Sequence, residues 1–241
     1  MVARVQPDVC IHCAWYAVPG AYLQAEANVR HQVAAIGLAE TLAAQGCARL
    51  VGVGTCLEYA FGDNPLAETS PVAPLSPYAQ SKLSTFRSLE ELCEVAAMGF
   101  AWARLFYLYG PYEDRRRLVP SVTLALLGGR PAQTTSGEQR RDFLHVDDVA
   151  NALLAIAASD LSGAVNVGSG EATPVREVVL RLGRLAGHPE LLEFGTLEPN
   201  PDDPPIVVSD SSKLRGAGWS QRLSLAEGLA ATVAWWAERS R

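Results

Sequence analysis

The sequence predicts an α/β fold in which helices cover a parallel sheet. Strand-length apolar runs alternate with helix-period stretches through the first half. Those runs lack the polar alternation of a sheet with one wet face, as strands buried on both sides require. At 241 residues the chain is long enough for one large domain, or for a domain with a smaller lobe.

The elements follow in order. Val9 to Ala14, after Pro7, and Ala48 to Val53 read as strands separated by a helix from Glu26 to Gln45. A second helix from Pro77 to Met98 precedes the apolar run Phe100 to Leu108, which repeats the strand-helix-strand unit. Ser76 is a good N-cap there, and Pro77 suits the first helical position. Leu118 to Leu127 reads as a helix stopped at Gly128 and Gly129, Asp142 to His145 as an extended piece, and Val149 to Ala158 as an apolar helix. Ala164 to Val167 is a strand, Val175 to Ala186 a helix, and the Pro-rich stretch from Glu198 to Pro205 a loop. Ser224 to Glu238 is a terminal helix with Trp235 and Trp236 as core anchors.

A net charge of −6 argues against a general nucleic-acid or anionic-membrane binder, because those surfaces need a basic field. No apolar run approaches the ~20 residues of a membrane span. The stretch MVARVQPDV lacks the apolar core of a signal peptide, so a cytoplasmic location is expected. Cys10, Cys13, Cys47, Cys56 and Cys93 form no disulfide framework. Cys10 and Cys13 make a CxxC. They fall in the apolar run VCIHCAW, read as a buried strand, where residues three apart point to opposite faces, so neither a metal nor a redox role is expected.

The segment SPYAQSK places Tyr78 and Lys82 four residues apart at a helix start, on one face. A neighbouring ammonium favours a phenolate, so such a pair can exchange protons. The chain has 18 Arg and two Lys, Lys82 and Lys213, so chance places a Lys four residues after a Tyr roughly 0.06 times.

With the patterns IHCAW (11–15), Asn28 before a helix, GTCLEY (54–59), Tyr78 with Lys82, RLFYLYGP (104–111), RDFLHVDDVA (141–150), NVGSG (166–170), and DSSK with a later GW (210–219), the chain resembles the extended short-chain dehydrogenase/reductases. The resemblance is to their NAD-dependent epimerase/dehydratase branch, which acts on nucleotide sugars. It implies a partial Rossmann-like, doubly wound parallel sheet over 1–111 and a smaller C-terminal α/β substrate lobe over 112–241, with 142–167 returning to the sheet. NAD or NADP is the implied cofactor, and a nucleotide-diphosphate sugar the implied substrate.

Residue by residue, the resemblance implies that Tyr78 exchanges a proton at the sugar C4 oxygen and Thr55 bridges to the same atom. Lys82 would hold the nicotinamide ribose and depress the tyrosine pKa. His12, Ala14, Asn28 and Phe106 would line the cofactor, and Tyr107, Arg141 and Asn200 the substrate. Arg141 stands where a guanidinium clamps the diphosphate; its plainer reading is a surface salt bridge with Asp142. Asp147 is expected to cap the helix that follows it, and Asn166 and Gly168 to shape a turn.

Departures narrow the expected activity. Dehydratases carry an acid one or two places after the catalytic Thr, where Cys56 and Leu57 stand, so epimerisation or 4-keto reduction is favoured. Tyr107 replaces a common Asn and Asn200 a common Arg. The glycine-rich turn for the pyrophosphate is supplied neither by GVGT (52–55) nor by residues 168–170. Homologous folds have roughly 60 residues before the strand at Val9. That strand is therefore expected at a sheet edge, cofactor binding is expected to be weak, and the chain reads as the catalytic portion of a longer enzyme or as a gene remnant. The rival readings are a non-catalytic scaffold or partner-binding module, and a redox or metal protein built on Cys10 and Cys13. A homodimer formed through the helices Glu26–Gln45 and Pro77–Met98 is also open.

Overall fold

A computed structural model describes residues 2–239. After a short helix α1 (Val2–Val5) come β1 (Val9–His12), α2 (Ala27–Ala44), β2 (Arg49–Thr55), α3 (Pro77–Val95), β3 (Gly99–Leu105) and β4 (Tyr107–Tyr109). Next are α4 (Leu118–Leu127), β5 (Ala132–Thr134), β6 (Arg140–Arg141), β7 (Phe143–His145), α5 (Val146–Ala157), β8 (Gly163–Val167) and β9 (Thr173–Pro174). The chain closes with α6 (Val175–Ala186), β10 (Leu192–Phe194), β11 (Ile206–Val207), α7 (Ser212–Gly216) and α8 (Leu225–Arg239).

The main sheet is parallel, in the order β1-β2-β3-β8, with Val9 opposite Arg49, Arg49 opposite Gly99 and Ala101 opposite Gly163. Its residues alternate between two buried layers. Leu50, Phe100 and Trp102 pack with Leu42 of α2 and with Leu89 and Cys93 of α3. Val51, Ala101, Ala103 and Val165 pack with Val149, Ala152 and Ile156 of α5 on the other side. The resulting α/β/α sandwich is the predicted class, and β1 lies at its edge among the described residues.

The glycines of the GVG run hold no phosphate loop. Gly52 and Gly54 lie in β2 under Trp102, where a Cβ on either would collide with the indole. A second core gathers Val122 and Leu126 of α4, Val178 and Leu182 of α6, and Leu229 and Val233 of α8. Small strand pairs tie this lobe together: β5 runs parallel to β10, while β6 lies between antiparallel β9 and parallel β11.

Four expectations need correction. The run Phe100 to Leu108 is two strands: Phe106 donates its N–H to Val167 and Tyr107 to Asp142, so the chain changes partner and β4 pairs with β7. The cap of α5 is His145, whose Nδ1 accepts from the Asp147 N–H at 3.3 Å; Asp147 is exposed, and the helix starts at Val146. Asn166 shapes no turn. It lies within β8, accepts from the Tyr59 hydroxyl at 2.7 Å and donates to the Leu66 carbonyl at 2.7 Å. Of the two C-terminal tryptophans, Trp236 is buried, but Trp235 is half-buried and edge-on to the exposed ring of Tyr112.

Candidate active site

The predicted proton-transfer residues meet where β2 ends and α3 begins. Ser76 Oγ accepts from the Ala79 N–H at 3.2 Å and Pro77 opens the helix, so α3 starts as the sequence requires. Thr55, the last residue of β2, is locked by a reciprocal cap: its hydroxyl accepts from the Leu57 N–H at 3.2 Å, and its own N–H donates to Glu58 Oε1 at 3.0 Å. Glu58 in turn accepts from Trp102 Nε1 at 2.9 Å and pairs with buried Arg104 at 2.8 Å. The hydroxyl of Thr55 thus rests on a fully satisfied buried network.

Tyr78 lies near enough to Thr55 for the threonine hydroxyl to act on its phenol. Its protonation differs from expectation. Burial pushes the phenol well above its ordinary range and Tyr22 adds to this, while the Thr55 hydroxyl pulls the other way. Lys82 does not depress it, because the ammonium is turned aside: Nζ donates to the Val53 carbonyl at 2.7 Å, sits 3.8 Å from the Trp15 ring centroid, and lies 5.9 Å from that of Tyr78. The lysine is 4% exposed, and burial lowers its pKa to about 7. At neutral pH Tyr78 is therefore a protonated acid, and Lys82 is near its own midpoint.

The substrate-side candidates form a second group. The guanidinium of Arg141 is buried, 5.4 Å from the Tyr107 ring, with Nη2 at 2.6 Å from Asp203 and Nη1 donating to the Arg140 carbonyl. The plainer reading fails, because the ion partner is Asp203 on the Pro-rich loop. Asp142 instead accepts bonds from Ser169, Gly170 and Ser209. Asn200 is exposed on the same loop, its side chain accepting from the Asp202 N–H. Burial raises the Tyr107 phenol, with Cys56 adding to this and the Arg141 guanidinium pulling the other way.

The cofactor-side candidates divide. His12, at the end of β1, is half-buried; burial holds its imidazole below the usual range, helped by Lys82 and His31. Ala14 is exposed just beyond that strand, and Phe106 is core, packed with Cys56, Tyr59 and Val207. Asn28 is buried with both ends of its amide engaged: it accepts from Trp15 Nε1 at 2.9 Å and donates to the Tyr22 carbonyl at 2.7 Å. β1 ends before the second CxxC cysteine, so Cys13 is exposed on the loop and Cys10 half-buried in the strand, both as free thiols.

Periodicity gives no signal for Trp15, Tyr22 or Asp203, which lie on loops and reach the site only through tertiary packing. A further carboxyl, Glu113, follows Tyr112, whose φ of 64° turns the chain back. Glu113 Oε2 is buried without a hydrogen-bond partner, and burial raises the group to about 8. A carboxyl raised in the folded state gives its full stability below the unfolded value near ~4.3 and loses it as pH rises through the folded value. Glu113→Gln is therefore expected to stabilise the protein by about 3 kcal/mol at pH ~9 and not at pH ~4, read from thermal melts at both.

The sequence matches the profile of the NAD dependent epimerase/dehydratase family over residues 1–168, well over half of the chain. The chain belongs to the NAD-dependent epimerase/dehydratase family. Within it, UDP-glucose 4-epimerase of Mycolicibacterium smegmatis is 28% identical, the match covering 100% of this chain and 80% of that protein. GDP-L-fucose synthase 1 of Arabidopsis thaliana is 27% identical, covering 90% of this chain and 69% of that protein. Among solved structures, UDP-glucose 4-epimerase of Thermus thermophilus in complex with NAD superposes with a TM-score of 0.83 at 26% identity, over 97% of this chain and 80% of that one. Thr55 ends β2 at the carboxyl edge of the sheet, and Tyr78 and Lys82 lie in the first turns of α3.

Proposed function

We propose that this chain is the catalytic unit of an NAD(P)-dependent epimerase or 4-ketoreductase of nucleotide-diphosphate sugars. The observation that carries the reading is the convergence of Thr55, at the carboxyl end of a parallel strand, with Tyr78, on whose phenol it acts, and with the buried ammonium of Lys82 one helical turn on. Relatives named for UDP-glucose, GDP-L-fucose and dTDP-glucose all support a sugar joined to a nucleotide diphosphate.

The residues fit a nicotinamide cofactor. Of the three N–H bonds of Lys82 one goes to Val53, leaving donors for ribose hydroxyls. When bound, the nicotinamide supplies hydride transfer. Tyr78 in its protonated form gives its proton to the sugar C4 oxygen as a ketone is reduced, and the phenolate so formed takes the proton of an alcohol when that is oxidised. Thr55 fixes that oxygen through its anchored hydroxyl. Arg141, backed by Tyr107, neutralises the diphosphate. Dehydration is disfavoured: Cys56 and Leu57 stand where an acid is needed, and burial pushes the Cys56 thiol up to about 12. Glu58, the next acid, is committed to Trp102 and Arg104.

Two assays test this: NADH or NADPH oxidation on adding a 4-keto nucleotide sugar, and interconversion of UDP-glucose and UDP-galactose followed by chromatography. Saturable turnover is expected in one of them, and Arg141→Met is expected to raise KM about 10- to 100-fold, the value of a lost charge-assisted contact. No turnover in either assay, with either cofactor, rejects the reading.

A further inference from the structure

The lysine is covered. The loop joining β1 to α2, residues 13–26, brings the Trp15 indole over the face of the Lys82 ammonium at 3.8 Å, closer than any other ring. The indole is pinned there on three sides: its N–H donates to Asn28 Oδ1 at 2.9 Å, its ring tilts onto His31 at 5.7 Å, and its edge meets Tyr78 at 6.5 Å. Tyr22 of the same loop lies edge-on to Tyr78 at 4.8 Å, with the Arg117 guanidinium 5.2 Å above it. Two aromatic rings from one loop thus close over the proton-transfer pair.

The loop is held by few backbone bonds to the rest of the fold. Between Cys13 and Glu26 its backbone hydrogen bonds are local, Ala21 and Tyr22 to Val18, Gln24 to Ala21, and Ala25 to Tyr22. Gly20 turns through a φ of 81°, and Cys13, Ala14, Ala17, Val18 and Leu23 are exposed. What holds the loop down is side-chain packing by Trp15 and Tyr22 and the amide of Asn28. Such a segment opens at far lower cost than the sheet beneath it.

We infer that this loop is a lid and Trp15 its latch: the indole occupies the side of Lys82 that a nicotinamide cofactor must reach, so latch and cofactor compete for the same ammonium. This rests on the proposed function, since it takes Lys82 to be the cofactor's anchor. A closed lid lowers apparent affinity in proportion to the fraction of molecules that are open. Loosening the latch therefore strengthens cofactor binding, whereas a residue that forms the wall of the pocket would weaken it when removed.

The experiment uses two readouts on the full chain, with Trp15→Ala and Trp15→Phe. In the first, without cofactor, lysines are labelled with a small amine reagent and quantified by peptide mass spectrometry. Lys213, bonded to the Ser162 and Ala164 carbonyls, is the internal reference. Lys82 labelling relative to Lys213 is expected to rise about fivefold or more in Trp15→Ala, with Trp15→Phe between it and the parent. In the second, NADH dissociation constants are measured by calorimetry, and Trp15→Ala is expected to bind NADH several-fold more tightly. Unchanged labelling overturns the latch. Increased labelling with unchanged or weaker NADH binding overturns the competition. If no protein binds NADH at millimolar concentration while labelling still rises, it is the proposed function that has failed, and the inferred competition falls with it.

Discussion

Tyr78→Phe is expected to lower kcat about 10³-fold while leaving the Kd of NADH and of the nucleotide product within a factor of about two. The phenol oxygen is the one atom removed, and the ring keeps its edge contacts with Trp15 and Tyr22. A loss of that size corresponds to about 4 kcal/mol of barrier, the range of a positioned acid. Thr55→Val should cost less, about 10²-fold, because Tyr78 still supplies the proton. Part of that loss is positional, since the Thr55 hydroxyl also caps Leu57; Thr55→Ser, which keeps the oxygen, should recover most of it. Because burial raises the phenol, the acid stays protonated through neutrality, and the alkaline limb of kcat for ketone reduction should lie above pH ~9. Retention of turnover by Tyr78→Phe would assign the proton to another group. Equal losses in kcat and cofactor affinity would point instead to damage of the pocket.

The parts of this site that were legible in the sequence are those set by neighbours along the chain. A serine cap, a proline at the first helical position and a four-residue spacing are local facts, and they place Tyr78 and Lys82 on one face of α3. The helices Leu118–Leu127 and Val175–Ala186 were equally plain, one stopped by a glycine pair and the other ending at Gly187 in the left-handed region. What was not legible depends on partners far away in sequence. The two-residue strands β6, β9 and β11 exist only through one another, and an apolar run cannot reveal that its partner changes at Phe106. The direction of the Lys82 side chain was misread for the same reason: Trp15 and the Val53 carbonyl, not Tyr78, receive its ammonium. The two acids of the HVDD stretch also have tertiary roles. Asp147 is exposed, while buried Asp148 accepts from the backbone N–H groups of Arg222 and Leu223, fastening the segment before α8.

Replacement of Asp142 by Ala is expected to destabilise the protein by about 4 kcal/mol. Its carboxylate is fully buried. It accepts five hydrogen bonds: Oδ1 from the N–H and hydroxyl of Ser169, both at 2.6 Å, and Oδ2 from Gly170 N–H at 3.0 Å, Ser209 N–H at 2.9 Å and Ser209 hydroxyl at 2.5 Å. Those donors belong to the turn after β8 and the segment after β11, so one side chain joins the main sheet to the small sheet of β6, β9 and β11. Alanine would strand them all in a space too tight for a compensating group. The glycine at 168 already packs against this carboxylate and the Ser209 hydroxyl so closely that a Cβ there would collide with both. Asparagine is no remedy, because its amide turns two donors toward groups that are themselves donors. For a domain of this size the loss corresponds to a Tm lower by roughly 10 °C, and exposed Asp147→Ala should shift it by less than about 1 °C. Since Arg141 precedes Asp142 in the chain, nucleotide binding should weaken with the fold, and a variant that melts like the parent would show that the five bonds are replaced by water at little cost.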